Sequence, residues 1–137
     1  MELGGELPPL EIAVTRTLIV AGAVASRDYQ DVHHDAKAAR DKGSPDIFMN
    51  ILTTNGLVGR YVTDCVGPDK RLCAVRIRLG APNYPGDTMV LRGTVTRVDE
   101  AAGTAEISVV GTNGIGRHVT GTVGVGPAPA GERAGSE

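Results

Sequence analysis

Two histidines and three aspartates crowd into residues 28–35: Asp28, Asp31, His33, His34 and Asp35. No other stretch of the chain concentrates titratable groups in this way. A histidine titrates near ~6.5 and a carboxylate stays ionised at neutral pH. Aimed at one point, the two can divide the work of activating a water molecule and delivering its proton. Asp28 and His33, with four residues between them on an irregular loop, have the spacing for that task, and addition of water to an activated double bond is the chemistry that would use it. Spacing alone also allows a plainer reading, in which Asp28 caps a turn and His33 sits on the surface. A metal set of Asp31, His33, His34 and Asp35 is set aside: adjacent histidines on an extended loop point apart, and the chain offers no distant ligand cluster. No metal is expected. His34 then reads as a solvated residue and Asp35 as a helix cap.

The elements that must position this loop can be read in order. Residues 1–9 are rich in Gly and Pro and read as irregular. Residues 10–15 alternate and read as a strand. Residues 17–25 are nearly all apolar and read as a buried strand or a buried helix, with the β-rich start favouring the strand. A short helix is expected over residues 35–42, capped by Asp35 and stopped by Gly43. Ser44-Pro45-Asp46 reads as a turn and a second helix start. Residues 47–62 then have helical length, with Phe48, Ile51, Leu52, Asn55, Val58, Tyr61 and Val62 at three- and four-residue steps. This segment carries no charge before Arg60, so it should be mostly buried. Gly56 and Gly59 would let a sheet approach it closely.

The second half changes period. Cys73, Val75, Ile77 and Leu79 alternate with their neighbours, and residues 88–98, 104–112 and 116–125 read as three further strands. Asn113-Gly114 supplies a tight hairpin turn. On this alternation Arg76, Arg78 and His118 face solvent. The run from Gly111 to Gly116 superficially suggests a phosphate loop, but it joins two strands and opens no helix. One apolar helix followed by a long antiparallel sheet implies an α+β fold, a single hotdog domain over residues 1–125 with the sheet wrapped around one central helix. Residues 126–137 read as a disordered tail. Joining two such sheets edge to edge would cover their open edges.

Composition excludes several function classes. The net charge is −2 and the chain holds no Trp, one Phe and three Tyr. There is no basic stripe for phosphates and no stacking platform, so nucleic acid is not an expected partner. Residues 18–26 resemble the apolar core of a signal peptide, but the preceding segment is acidic where such a peptide needs positive charge. The run is also too short to span a bilayer. A cytoplasmic protein without membrane association is expected, with Cys65 and Cys73 as reduced thiols.

Three pieces of the sequence, in order over residues 28–88, carry a family resemblance. The first is Asp28-x-x-x-Val32-His33-x-Asp35-x-x-x-Ala39. The second is Gly43 followed by Ile47-Phe48-Met49-Asn50. The third is Arg78-Leu79-x-x-Pro82-x-x-Pro85-Gly86-Asp87-Thr88. Together they resemble the MaoC-like, R-specific enoyl-CoA hydratases. The resemblance implies that Asp28 and His33 form the catalytic pair and that the backbone N–H of Asn50 polarises the thioester carbonyl at a helix start. Such a position favours negative charge as an enolate develops. Three departures stand out. Gln30-Asp31 replaces the family's Asn-Pro, Met49 replaces a His, and Asn50 replaces a Gly, which puts a side chain beside the expected oxyanion site.

The stretches 27–35 and 46–52 are closer still to the small MaoC-like subunit of actinobacterial heteromeric steroid side-chain hydratases. That implies a catalytic subunit working on an acyl-CoA, with a steroid side-chain enoyl group, in a heterodimer or heterotetramer with a second MaoC-like subunit. No cofactor is implied beyond the coenzyme A that the substrate carries. Two other functions fit the sequence less well. A hotdog thioesterase would place a carboxylate on the central helix, and residues 47–61 contain none. A non-catalytic structural subunit would have no use for an intact Asp28–His33 pair.

Overall fold

The computed structural model describes residues 1–129. Its elements are β1 (Glu6–Val14), α1 (Arg16–Ala25), a 3-10 turn (Asp31–His33), α2 (Ala36–Asp41), α3 (Ile51–Val66), β2 (Lys70–Leu79), β3 (Asp87–Asp99), β4 (Thr104–Thr112) and β5 (Arg117–Pro127). The five strands form one sheet in the order β1-β3-β4-β5-β2, and every neighbouring pair is antiparallel. The long helix α3 lies on the inner face of this sheet. The α+β hotdog arrangement expected from the order of elements is therefore present.

Alternation builds the inner face. Met89, Leu91 and Val95 of β3, Ile107 and Val109 of β4, and Val119, Val123 and Val125 of β5 are all buried against Leu57, Val58, Tyr61 and Val62 of α3. With so few aromatics, this core is filled by branched aliphatic side chains, each contributing about 1.5–3 kcal/mol on burial. Tyr61 is the one aromatic at its centre, and its hydroxyl donates to Pro8 O at 2.9 Å.

The boundaries differ from the expected ones in four places, each for a local reason. Residues 17–25 form helix α1, not a strand: the Thr15 side chain accepts the Leu18 N–H and caps it, and Ile19 and Ala23, four apart, face the core. A short, wholly apolar run does not reveal its period. β1 starts at Glu6 and runs through Pro8-Pro9, where its register with β3 breaks; as the outer strand it tolerates two residues without N–H groups. α3 begins four residues later than expected. Its cap is Asn50, while the Phe48 N–H donates to Val32 O and the Met49 N–H to Asn83 O, which keeps residues 47–50 extended. Asp46 instead forms a two-point ion pair with Arg16, 2.8 and 3.0 Å, fastening the start of α1 to this segment.

At the C-terminal end, β5 continues through Pro127, and Ala128 is buried with its N–H donating to Asp69 O. The ordered chain thus passes the expected boundary at 125. The rest of the expected tail, 130–137, lies outside the described residues. Of the two glycines in α3, Gly59 does permit a close approach, since a Cβ there would lie 3.2 Å from Leu72 Cδ1, whereas Gly56 faces open space.

Candidate active site

The end of α1 delivers the first reactive group. Ser26 caps the helix, Arg27 turns into the left-handed region at φ 56°, and the Arg27 and Asp28 N–H groups donate back to Val24 O and Ala23 O. This is a Schellman closure with arginine where glycine is the common choice. It reverses the chain and presents Asp28 beside the helix end. The following 3-10 turn presents His33. The two side chains meet: His33 Nε2 lies 3.3 Å from Asp28 Oδ2.

Two further contacts set the chemistry of this pair. His33 Nδ1 lies 2.7 Å from Phe48 O. A carbonyl can only accept, so Nδ1 carries a hydrogen and Nε2 is left for proton exchange. The ring is buried and packs edge-on against Phe48, centroids 5.0 Å apart. On the other side, the Asn50 amide donates from Nδ2 to Asp28 Oδ2 at 3.1 Å, and the Gln30 N–H donates to Oδ1 at 3.3 Å. The Asn50 hydrogen bond holds the Asp28 carboxyl below its ordinary range, opposed by partial desolvation and helped by Gln30 and His33.

The remaining residues of the cluster do other work, as expected. Asp31 accepts Lys42 Nζ at 2.6 Å, Asp35 accepts the Ala38 N–H as the cap of α2, and exposed His34 sits 3.3 Å from Tyr29 O. Among the described residues no group of three or more His, Cys, Asp or Glu is placed to hold a metal. Cys65 and Cys73 are free thiols, the first half-buried and the second exposed.

Asp28 and His33 open onto a cleft of about 350 Å³ whose walls include Met49, Asn50, Leu79, Pro82 and His118. The third sequence piece explains part of this wall. Asp87 of the Pro-Gly-Asp-Thr stretch accepts the Gly114 N–H with both carboxylate oxygens, 3.0 and 3.1 Å, and fastens the β4–β5 hairpin behind it. Gly80 is required there, because a Cβ would fall 2.4 Å from Arg117 O. Arg76 and Arg78 are exposed on β2, as alternation predicts.

His118 is a correction. It is buried, not on the surface: Nδ1 lies 2.8 Å from Ala81 O, and Nε2 lies 2.8 Å from Thr54 Oγ1 on α3. The reason is a bulge. Gly111 pairs with Val119 and Thr112 with Arg117, so His118 is an extra residue on β5 and turns inward beside Val119. Strict alternation cannot place such a residue. Thr54 and Ser26 also escaped the sequence reading as parts of the site, and the Asn50 side chain, expected beside the oxyanion site, is turned to Ser26 and Asp28. Thr54, four residues after the cap Asn50 on the same helix face, carried a weak signal.

A hotdog sheet around one helix, with an Asp–His pair at the helix start, defines a class, and the comparisons agree with it. The MaoC like domain model matches residues 4–117; the chain belongs to this family. Over 121 residues it is 49% identical to the 3-oxo-4,17-pregnadiene-20-carboxyl-CoA hydratase beta subunit of Mycobacterium tuberculosis, covering 88% of this chain and 92% of that protein. A chain in the crystal structure of the ChsH1-ChsH2 complex from Mycobacterium tuberculosis matches with TM-score 0.89 at 46% identity, over 93% of this chain and 99% of that one. The unliganded R-hydratase PhaJ1 from Pseudomonas aeruginosa matches with TM-score 0.84, over 94% and 84% of the two chains. At 18% identity that last likeness is one of fold.

Proposed function

We propose that this chain is the catalytic subunit of a heteromeric enoyl-CoA hydratase that adds water to a trans-2-enoyl-CoA carrying a steroid side chain. The observation that carries the reading is the pair itself: Asp28 and His33 in contact, with His33 oriented by the Phe48 carbonyl, at the mouth of a cleft beside the start of α3. Water held between Oδ2 and Nε2 gives one proton to the pair as its oxygen bonds to C3 of the enoyl group. The π electrons move toward the thioester oxygen. No described group accepts the Asn50 N–H, and this donor at the helix start meets the developing negative charge. The enolate then takes the proton back at C2, and the pair ends as it began.

The steroid substrate and the second subunit rest on likeness to the beta subunit and to the ChsH1-ChsH2 complex. In a 17-ene whose carboxyl thioester sits on C20 the double bond is conjugated to the thioester, so the same chemistry would place the hydroxyl on C17. The size of the cleft points the same way. About 350 Å³ is at the small end of ligand pockets. A four-ring acyl group needs further room, which a partner subunit can supply.

The test is co-expression of this chain with a second MaoC-like subunit and incubation with the steroid enoyl-CoA. A hydratase removes the conjugated thioester absorbance, while a thioesterase releases thiol. Asp28→Asn and His33→Ala should each lower kcat by about 10²–10⁴-fold. Full activity in both variants would make this chain a structural subunit.

A further inference from the structure

We propose that the Asn50 side chain is a positioning residue, a clamp that fixes Asp28 against His33 and keeps its carboxylate an acceptor during hydration. The inference deepens the hydratase reading and rests on it. Asn50 is buried, and all four hydrogen-bonding positions of its amide are occupied. Oδ1 accepts the Thr53 N–H at 3.0 Å and the Thr53 hydroxyl. Nδ2 donates to Asp28 Oδ2 at 3.1 Å and to Ser26 Oγ at 2.9 Å. The orientation of the amide is unambiguous, because the Thr53 N–H can only donate and therefore faces the oxygen. Ser26 Oγ in turn donates to Gly22 O at 2.7 Å. One side chain thus joins the end of α1, the Asp28 loop and the start of α3.

Two consequences follow from this geometry. First, the amide has no hydrogen left for substrate, so it does not bind the thioester; that role stays with the Asn50 backbone N–H. Second, Asp28 Oδ2 receives a neutral donor from Asn50. Without it, Oδ2 would lose a hydrogen bond that favours the ionised form, and the carboxyl would be freer to rotate away from Nε2. The downward displacement of the Asp28 carboxyl, caused first by Asn50, agrees with the geometry.

Capping and clamping can be separated. Asn50→Ser keeps an acceptor for the Thr53 N–H but cannot reach Asp28. Asn50→Asp keeps the cap and puts a second carboxylate against Asp28. In the assembled hydratase both variants should lose about 10–100-fold in kcat with KM little changed. The acid limb of the kcat/KM profile should rise by about one pH unit, more in Asn50→Asp. In the full chain, the ¹³C titration of the Asp28 carboxyl should rise in parallel. An unchanged carboxyl titration and acid limb in both variants would reduce Asn50 to a helix cap and overturn the proposal, even if kcat falls. If the wild-type complex does not hydrate the substrate at all, the hydratase reading fails separately, and the carboxyl titration alone still decides whether Asn50 holds Asp28.

Discussion

The two buried histidines of this chain are built for opposite ends. Each has Nδ1 against a backbone carbonyl, Phe48 O for His33 and Ala81 O for His118. The difference lies at Nε2. In His33 it meets the Asp28 carboxylate beside a cleft. In His118 it accepts the Thr54 hydroxyl, and burial pushes the imidazole below its ordinary value of 6.5, against the raising effect of Ala81. His118 is therefore kept neutral in the fold. A group with a depressed folded value contributes fully above its unfolded value and loses that contribution as pH falls through the folded one. Stability should decline as pH drops below about 6.5, and His118→Asn should reduce that decline in urea unfolding compared at pH 7.5 and 5.5. Thr54→Val, which leaves Nε2 without a donor, should cost about 1–3 kcal/mol at pH 7.5. An unaltered urea midpoint in that variant would show that the hydroxyl does not hold the ring.

The placement of Asp28 depends on how α1 ends and how closely it meets α3. Arg27 adopts φ 56°, a conformation that costs an L-residue with a Cβ roughly 1–2 kcal/mol and glycine much less. Arg27→Gly should therefore raise stability by up to about 1 kcal/mol after the extra chain entropy of glycine is counted. A lower melting temperature would mean that the arginine side chain outweighs the relief. Gly22 has the reverse character. In most exposed helices Gly→Ala gains about 1 kcal/mol. Here a Cβ would fall 2.2 Å from Thr53 Oγ1, the hydroxyl that holds Asn50 Oδ1. Gly22→Ala should destabilise by about 1–3 kcal/mol through overpacking and should lower hydratase activity by pushing the start of α3 away from Asp28. Equal stability of variant and wild type would contradict the close approach.

As a whole, the molecule is a half-closed frame. The sheet has open edges at β1 and β2. Leu72 and Leu79 of β2 are more than a third exposed, and Ile51 and Leu52 at the start of α3 about half. Leu79 and Ile51 border the cleft, so apolar surface surrounds the place where an acyl group would enter. No helix among the described residues is long and apolar enough to cross a membrane. The second subunit of the proposed hydratase would cover this surface, and co-expression with a second MaoC-like subunit should give a single complex by native mass spectrometry. Recovery of the chain only as a homodimer, with the second subunit separate, would remove the heteromeric assignment.

The amino-acid sequence by itself determined the features that depend on short spacing. The Asp28–His33 interval, the Asp35 cap, the existence of a long apolar helix and, His118 apart, the alternation of the last strands are each written in a few neighbouring residues. What tertiary structure decided depends on contacts between distant segments. Residues 17–25 are helical because Ile19 and Ala23 meet the core and Thr15 caps them, which an unbroken apolar run does not reveal. α3 is capped by Asn50 and not by Asp46 because Arg16, thirty positions upstream, takes the aspartate, while Val32 and Asn83 hold the intervening residues extended. His118 enters the cleft because one extra residue on β5 breaks its register with β4. A bulge inverts the facing of a side chain without changing the residue types around it, so only the pairing of the strands could show it.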